Sequence, residues 1–415
     1  MTVTENVSPA YKGNQAALRA LFDSQPMLVD VRPAIDVVPG LTASTVLTSG
    51  PEMEWRRYTG GQRSAVLGGA VHEGLAASFE EADRLLASGA IRVAGCQDFA
   101  CVGSVAGVTT ASMPVVVVED AGSGHRGFCT LYEGEALNRL NYGSYDAGVE
   151  RNLQHLRTVV GPALGEVIRS KPGGIGLLPI MSRAVRQGDE LHSRHAASAP
   201  LFVREVMPLL LDLDRSVGKE LVRYLTGGDY FFLRPAMAAA KVMASRMAGF
   251  ASSSVVTSMA FSCQEFGIQV SGLGDRWFRG PLPTMETCQL FGGHTVDDIE
   301  LMGGESIITE VCGLGGFAQA AAFALQAYQG GDPEALIKRN LEMYEITAGE
   351  HELFAIPYLK HRGTPAGIDA HLVATTGITP AMDTGIAAKG GGQIGAGSFR
   401  APLEPFVAAS RALTS

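Results

Sequence analysis

No run of lysine and arginine occurs anywhere in the chain, and acidic residues outnumber basic ones 42 to 33, for a net charge of −9. A nucleic-acid surface needs clustered cations, so that partner class is excluded. No apolar run approaches the ~18 residues that a membrane-spanning helix requires. The opening Met1-Thr-Val-Thr-Glu-Asn-Val lacks the basic and apolar regions of a signal peptide. The expectation is a soluble, cytoplasmic protein with neither nucleic acid nor membrane as partner. Cysteine is sparse, six in 415 residues (96, 101, 129, 263, 288 and 312), with no C-x-x-C pair. Reduced, buried thiols are expected, and no zinc cluster, because no second Cys/His pair follows Cys96 and Cys101 at finger spacing. The chain also lacks a G-x-G-x-x-G fingerprint, a P-loop and a G-x-S-x-G elbow, so no nucleotide, cofactor or serine-hydrolase chemistry is implied.

What is present is apolar: 46% hydrophobic against 18% charged, the balance of a core-rich globular protein. The length calls for two or three domains. Residues 1–145 read as an N-terminal α/β domain, with a helix over 13–23, strands at 27–32 and 113–119, and an amphipathic helix over 80–88 closed by Gly89. Residues 146–250 read as a helical domain, with helices at 152–169, 181–197, 201–211, 215–225 and 236–247. Residues 251–415 form a glycine-rich C-terminal α/β domain. Its expected strands lie at 266–270 and 306–310, and its expected helices at 317–328 and 333–347. The predicted fold class is thus α+β and multi-domain, with mixed α/β regions flanking a helical one.

Two glycine turns stand out. In Val270-Ser-Gly-Leu-Gly-Asp-Arg-Trp277 a short strand runs into Gly272 and Gly274, followed by Asp275 and Arg276. A guanidinium beside such a turn can hold a carboxylate or phosphate on two N–H groups. A buried Arg–Asp pair that locks the turn is the competing reading. In Thr309-Glu310-Val-Cys-Gly-Leu-Gly-Gly316 the glycines 313, 315 and 316 precede an expected helix, whose free amides suit an oxyanion. Two cationic loops join these candidates, Lys389 to Arg400 as a lid and His361 to Asp369 with Arg362 and Thr364. Finally, Asp189, His192 and His195 recur every three residues, with Glu190 and Arg194 between them. On one helix face that spacing fits a histidine general acid oriented by a carboxylate, since histidine titrates near neutrality. A solvated stripe with a Glu190–Arg194 ion pair fits it as well.

Together these segments resemble the YlbE/AllG-type family. The likeness runs from about Trp55 to the C-terminal region. It rests on Ala65–Gly74, Ala111–Glu119, Gly188–Arg194, Gly228–Leu233, Glu265–Phe278, Ile308–Phe317, Arg362–Asp369 and Gln393–Gly397. The resemblance implies a cytoplasmic, oligomeric subunit of an oxamate carbamoyltransferase in allantoin catabolism and purine degradation. Such a subunit would work with an FdrA-like subunit and a second small partner, and would also form a homo-oligomer. The complex would split oxalurate with phosphate into oxamate and carbamoyl phosphate. Catalytic candidates are then His192, Asp189, Glu190, Arg276 and Asp275. Arg194, Gly272, Gly274, Thr309, Glu310, Gly313, Gly315, Gly316, Arg362, Thr364 and Lys389 are candidates for holding a small anionic substrate. The chain departs from the family pattern over Cys96 to Gly107, where a C-H-H stretch and a proline-bearing glycine loop are usual, and at His195, where an asparagine is usual. Those departures keep open a hydrolase or lyase acting on another ureido or cyclic amide compound, and a non-catalytic scaffold subunit.

Overall fold

A computed structural model describes residues 9–414. The architecture is α+β, with several antiparallel sheets and one parallel pair. Strand Pro26–Pro33 is central to the first sheet, lying between Pro114–Asp120 and the two-residue strand Ile175–Gly176, with Arg126–Thr130 at the far edge. A second sheet orders Thr284–Leu290, Gln393–Arg400, Ala381–Ala388 and Ile299–Glu300. Val256–Phe261, Phe266–Val270 and Phe278–Gly280 form a third, and Thr347–Ile356 pairs with Arg362–Ile368.

Between residues 147 and 245 the chain is almost wholly helical. Gly161–Arg169 continues Ala147–His155 through a π-helical turn. Leu177–Arg186, Ser198–Leu210, Arg215–Thr226 and Leu233–Ser245 follow. The last of these is the buried axis of the molecule. Its alanines 236, 238–240 and 244 are fully buried, and side chains that small let the helix lie close against strands Pro114–Asp120 and Arg126–Thr130. One continuous core draws on Leu28 and Val116, on Phe202 and Met237, and on Phe266, Ile308 and Phe399.

Local rules place most elements. Ser78 caps Phe79–Ser88 by accepting the Glu81 amide at 3.3 Å, and Gly89 ends that helix in the left-handed region at φ 77°. Three expectations fail, and the first is the helix over 181–197, which ends at Arg186. The alanine-rich stretch 317–328 is no continuous helix but a series of 3₁₀ turns leading into the short helix Gln326–Gln329. Asn340, on helix Pro333–Tyr344, takes its backbone groups instead: the amide of Ala320 donates to Asn340 Oδ1 and Asn340 Nδ2 to the carbonyl of Phe317, both at 2.9 Å. Likewise 306–310 is no strand. It becomes a turn and the short helix Ile308–Val311.

Candidate functional site

Asp189, His192 and His195 do not share a helix face. Helix Leu177–Arg186 stops, Gly188 takes a positive φ, and residues 189–197 form a loop that carboxylates hold together. Asp189 is buried and accepts the amides of Ala197 and Ser198, the latter at 2.7 Å, which caps helix Ser198–Leu210. Glu190, also buried, gathers the amides of His192, Ser193 and Arg194. Both therefore shape the backbone and do not orient the imidazole. Arg194 donates to the Gly188 carbonyl and stands 3.9 Å from Asp189, not in the expected pair with Glu190.

The carboxylate that orients His192 is Glu310, 2.8 Å from Nδ1. Glu310 Oε1 also accepts the amides of Gly316 (3.2 Å) and Asp383 (2.9 Å), while Thr309 Oγ1 donates to Oε2 at 2.8 Å. This corrects the oxyanion cradle expected of Gly313 to Gly316. The turn is wrapped around the chain's own carboxylate: a Cβ at Gly315 would stand 2.4 Å from Glu310 Oε1, and one at Gly316 2.2 Å from the Ala381 carbonyl. The other amides of the turn, those of Gly313, Leu314 and Gly315, are spent on the carbonyls of Glu310, Thr309 and Glu190. With a carboxylate oxygen as its partner, Nδ1 is the donor of this pair, and Nε2 makes no hydrogen bond among the described residues. Burial opposes charge on this ring, but Glu310 first, then Asp383 and Glu190, outweigh it and raise its pKa. Burial pushes the carboxyls of Glu190 and Asp383 upward, each reinforced by a neighbouring carboxylate. His195 is different: burial drives its pKa down to about 3, so it is neutral, between the Ser198 hydroxyl and the His192 carbonyl.

His192 forms part of the wall of a small, partly open cavity of about 40 Å³. The sequence candidates supply little of the rest. Arg139, Asn141 and Arg234 stand in its wall with Ser104, Gln393 and the tyrosines 132, 142, 230 and 328. Of these, only Tyr230, Ser104 and Gln393 fall in segments that the sequence had marked. A lone arginine opening an alanine-rich helix, as Arg234 does, carries no motif. Tyr230 Oη donates to the Ser193 carbonyl at 2.6 Å, fixing the histidine loop to the wall.

The other candidates lie elsewhere. Arg276 is exposed and stacks on Phe278, and Asp275 is exposed beside it, with its carbonyl accepting from Gln269. Gly272 packs on Ser253 and Gly274 is exposed, so this turn is not part of the cavity wall. Arg362 is paired with Glu350 and lies 3.5 Å over the Tyr344 ring, and Thr364 is buried against Gly313. Lys389 donates to the Asp297 carbonyl, and the residues after it make a hairpin turn between strands Ala381–Ala388 and Gln393–Arg400, not a lid. Arg400 is neutralised by Glu286 and Glu342. Gln97 and Asp98, in the altered Cys96 segment, contact Met259 and Trp277, and only Ser104 and Val105 of that segment reach the cavity. Among the described residues no His/Cys/Asp/Glu group is arranged for a metal ion, and no helix is long and apolar enough to cross a membrane.

Comparison with known proteins agrees with this picture at the level of the whole chain. A model of the family described as "Oxamate carbamoyltransferase subunit AllG" matches residues 91–306. The oxamate carbamoyltransferase subunit AllG of Escherichia coli K12 is 36% identical over 408 residues, 97% of each chain. YahG of the same organism, described as uncharacterized, is 38% identical over 95% of this chain and 84% of its own. A crystal structure of a conserved protein of unknown function from Enterococcus faecalis V583 superposes with a TM-score of 0.94 at 37% identity, covering 98% of this chain and 97% of that one. The chain belongs to the AllG family.

Proposed function

We propose that this chain is the AllG-type subunit of an oxamate carbamoyltransferase, and that its cavity is where a small ureido anion reacts. The observation that carries the reading is the His192–Glu310 pair in the wall of a cavity that Arg139, Asn141 and Arg234 also line. In this reading a phosphate oxygen attacks the carbamoyl carbon of oxalurate, and the C–N bond to the oxamate nitrogen breaks. That nitrogen takes up a proton from His192 Nε2, and the ring is reprotonated by the proton the phosphate gives up. Atoms and charge balance as carbamoyl phosphate plus oxamate. A raised pKa suits the ring to donating at neutral pH, and Glu310 stabilises the cation that the ring is before it donates and becomes again once it is reprotonated. An FdrA-like subunit and a second small subunit complete the enzyme.

The test is carbamoyl phosphate release from oxalurate and phosphate by the reconstituted complex. His192→Gln should lower the rate by about 10²-fold or more with the fold intact. An unchanged rate removes His192 from the chemistry. Release of ammonia without any need for phosphate would point instead to hydrolysis.

A further inference from the structure

Two buried cations in the cavity wall lack a carboxylate at ion-pair distance. Arg234 is 3% exposed, and its hydrogen bond runs from Nη1 to the Cys129 sulfur at 3.9 Å, a weak acceptor for a group with five N–H donors. Arg139 Nη1 reaches the Tyr132 hydroxyl (3.1 Å) and the Gly134 carbonyl (2.8 Å), and Nη2 reaches Gln393 Oε1. Its buried Nε has no partner. Among the described residues no carboxylate lies within 4.0 Å of either guanidinium. Glu133 acts on both from farther off, but its two oxygens are taken by the amides of Leu140 (2.7 Å) and Asn141 (3.0 Å). Glu135, which also acts on Arg139, receives the Tyr132 hydroxyl.

Buried guanidiniums served by carboxylates only at a distance are unfavourable, and apolar residues would fill the same wall more favourably. An anion in the cavity supplies the missing compensation. The wall also holds an acceptor without a donor: Asn141 Nδ2 donates to Ser104 Oγ at 3.0 Å, while the buried Oδ1 has no partner. A simple carboxylate satisfies the cations but leaves that oxygen empty, and a hydrogen phosphate can reach it only through its single O–H. A carboxylate bearing an adjacent amide N–H satisfies both.

We infer that Arg234 is the anion seat of this cavity and Asn141 its amide reader: Arg234 holds the carboxylate of an amido acid, Arg139 adds charge beside it, and the ligand's N–H donates to Asn141 Oδ1. The inference rests on the reading of the cavity as the transfer site, yet its test needs no turnover.

Isothermal titration of the full chain with oxamate, pyruvate and oxamide separates the two contacts. Pyruvate keeps the carboxylate but has methyl for the amide, and oxamide keeps the amide but has no charge. Oxamate should bind about 10-fold or more tightly than either. Arg234→Met should weaken oxamate by at least about 10-fold, with Arg234→Lys retaining part of the affinity. Asn141→Leu should bring oxamate down to the level of pyruvate and leave pyruvate unchanged. Equal binding of oxamate and pyruvate, binding of none of the three, or a folded Arg234→Met that holds oxamate as tightly as the native chain would each overturn it. Oxamate bound through Arg234 without phosphorolysis in the complex would leave the seat standing and sink the transferase reading. His192-dependent phosphorolysis indifferent to Arg234→Met would do the opposite.

Discussion

Glu310 is buried and fully engaged by His192, Thr309 Oγ1 and the amides of Gly316 and Asp383. A carboxylate held by that many donors is fixed in place, and its oxygen beside Nδ1 is what holds the imidazole in one orientation. Glu310→Gln keeps the shape and an acceptor for the amides while removing the charge. The pKa of His192 should then fall, because the burial that opposes its protonation remains while its main counter-charge is gone. Histidine titration by NMR checks this, and an unmoved His192 would show that Glu310 does not govern it. At this scale the sequence was half legible. His192 stood out through its carboxylate neighbours, but the neighbours it pointed to, Asp189 and Glu190, bind backbone amides. The true partner lies 118 residues onward, a pairing that only the fold creates. Arg139, Asn141 and Arg234 had no local signal at all, since what sets them apart is guanidiniums buried away from any ion-pairing carboxylate and an amide oxygen buried without a donor.

Elements with a strong internal period were readable, and those held by distant side chains were not. Arg215–Thr226 and Phe79–Ser88 carry both apolar period and caps, and fold as their residues dictate. Stretch 317–328 has helical composition, yet Asn340 captures its peptide groups before a helix can close. The glycine turn before it was recognised as an anion cradle, and its anion proves to be Glu310. Gly315→Ala and Gly316→Ala should therefore act on the histidine's support. The first forces a Cβ onto a carboxylate oxygen at a positive φ, and the second onto a carbonyl. Each should destabilise the fold by about 1–3 kcal/mol, read in chemical denaturation. A substitution tolerated without loss would mean that the turn is not packed this tightly.

Across the molecule, buried carboxyls outnumber the cations near them. Burial raises the pKa of Glu190, of Glu305 (to about 8) and of Asp383. A group whose pKa is raised on folding stabilises the fold fully below its unfolded value, about 4 for a carboxyl, and loses that contribution as pH rises through the folded value. Stability should thus decline as pH rises from about 4 through these raised values, and Asp383→Asn should lose less than the native chain between about pH 4 and 7. Asp383 Oδ2 has no hydrogen-bond partner, whereas Oδ1 receives Gln319 Nε2 at 2.6 Å, so the amide fits without disturbing that bond. Parallel pH profiles for the two proteins would contradict the shift. At this scale the α+β class and the helical middle were legible from composition and period. The cavity was not, because its wall is assembled from Ser104, Arg139, His192, Arg234, Tyr328 and Gln393, which only tertiary packing brings together. The sharpest test of the account is a crystal structure of this chain with oxamate bound. The account predicts oxamate inside the cavity, its carboxylate about 3 Å from the Arg234 guanidinium and within reach of His192. Oxamate at the exposed Asp275–Trp277 turn, with the cavity wall untouched, would contradict it.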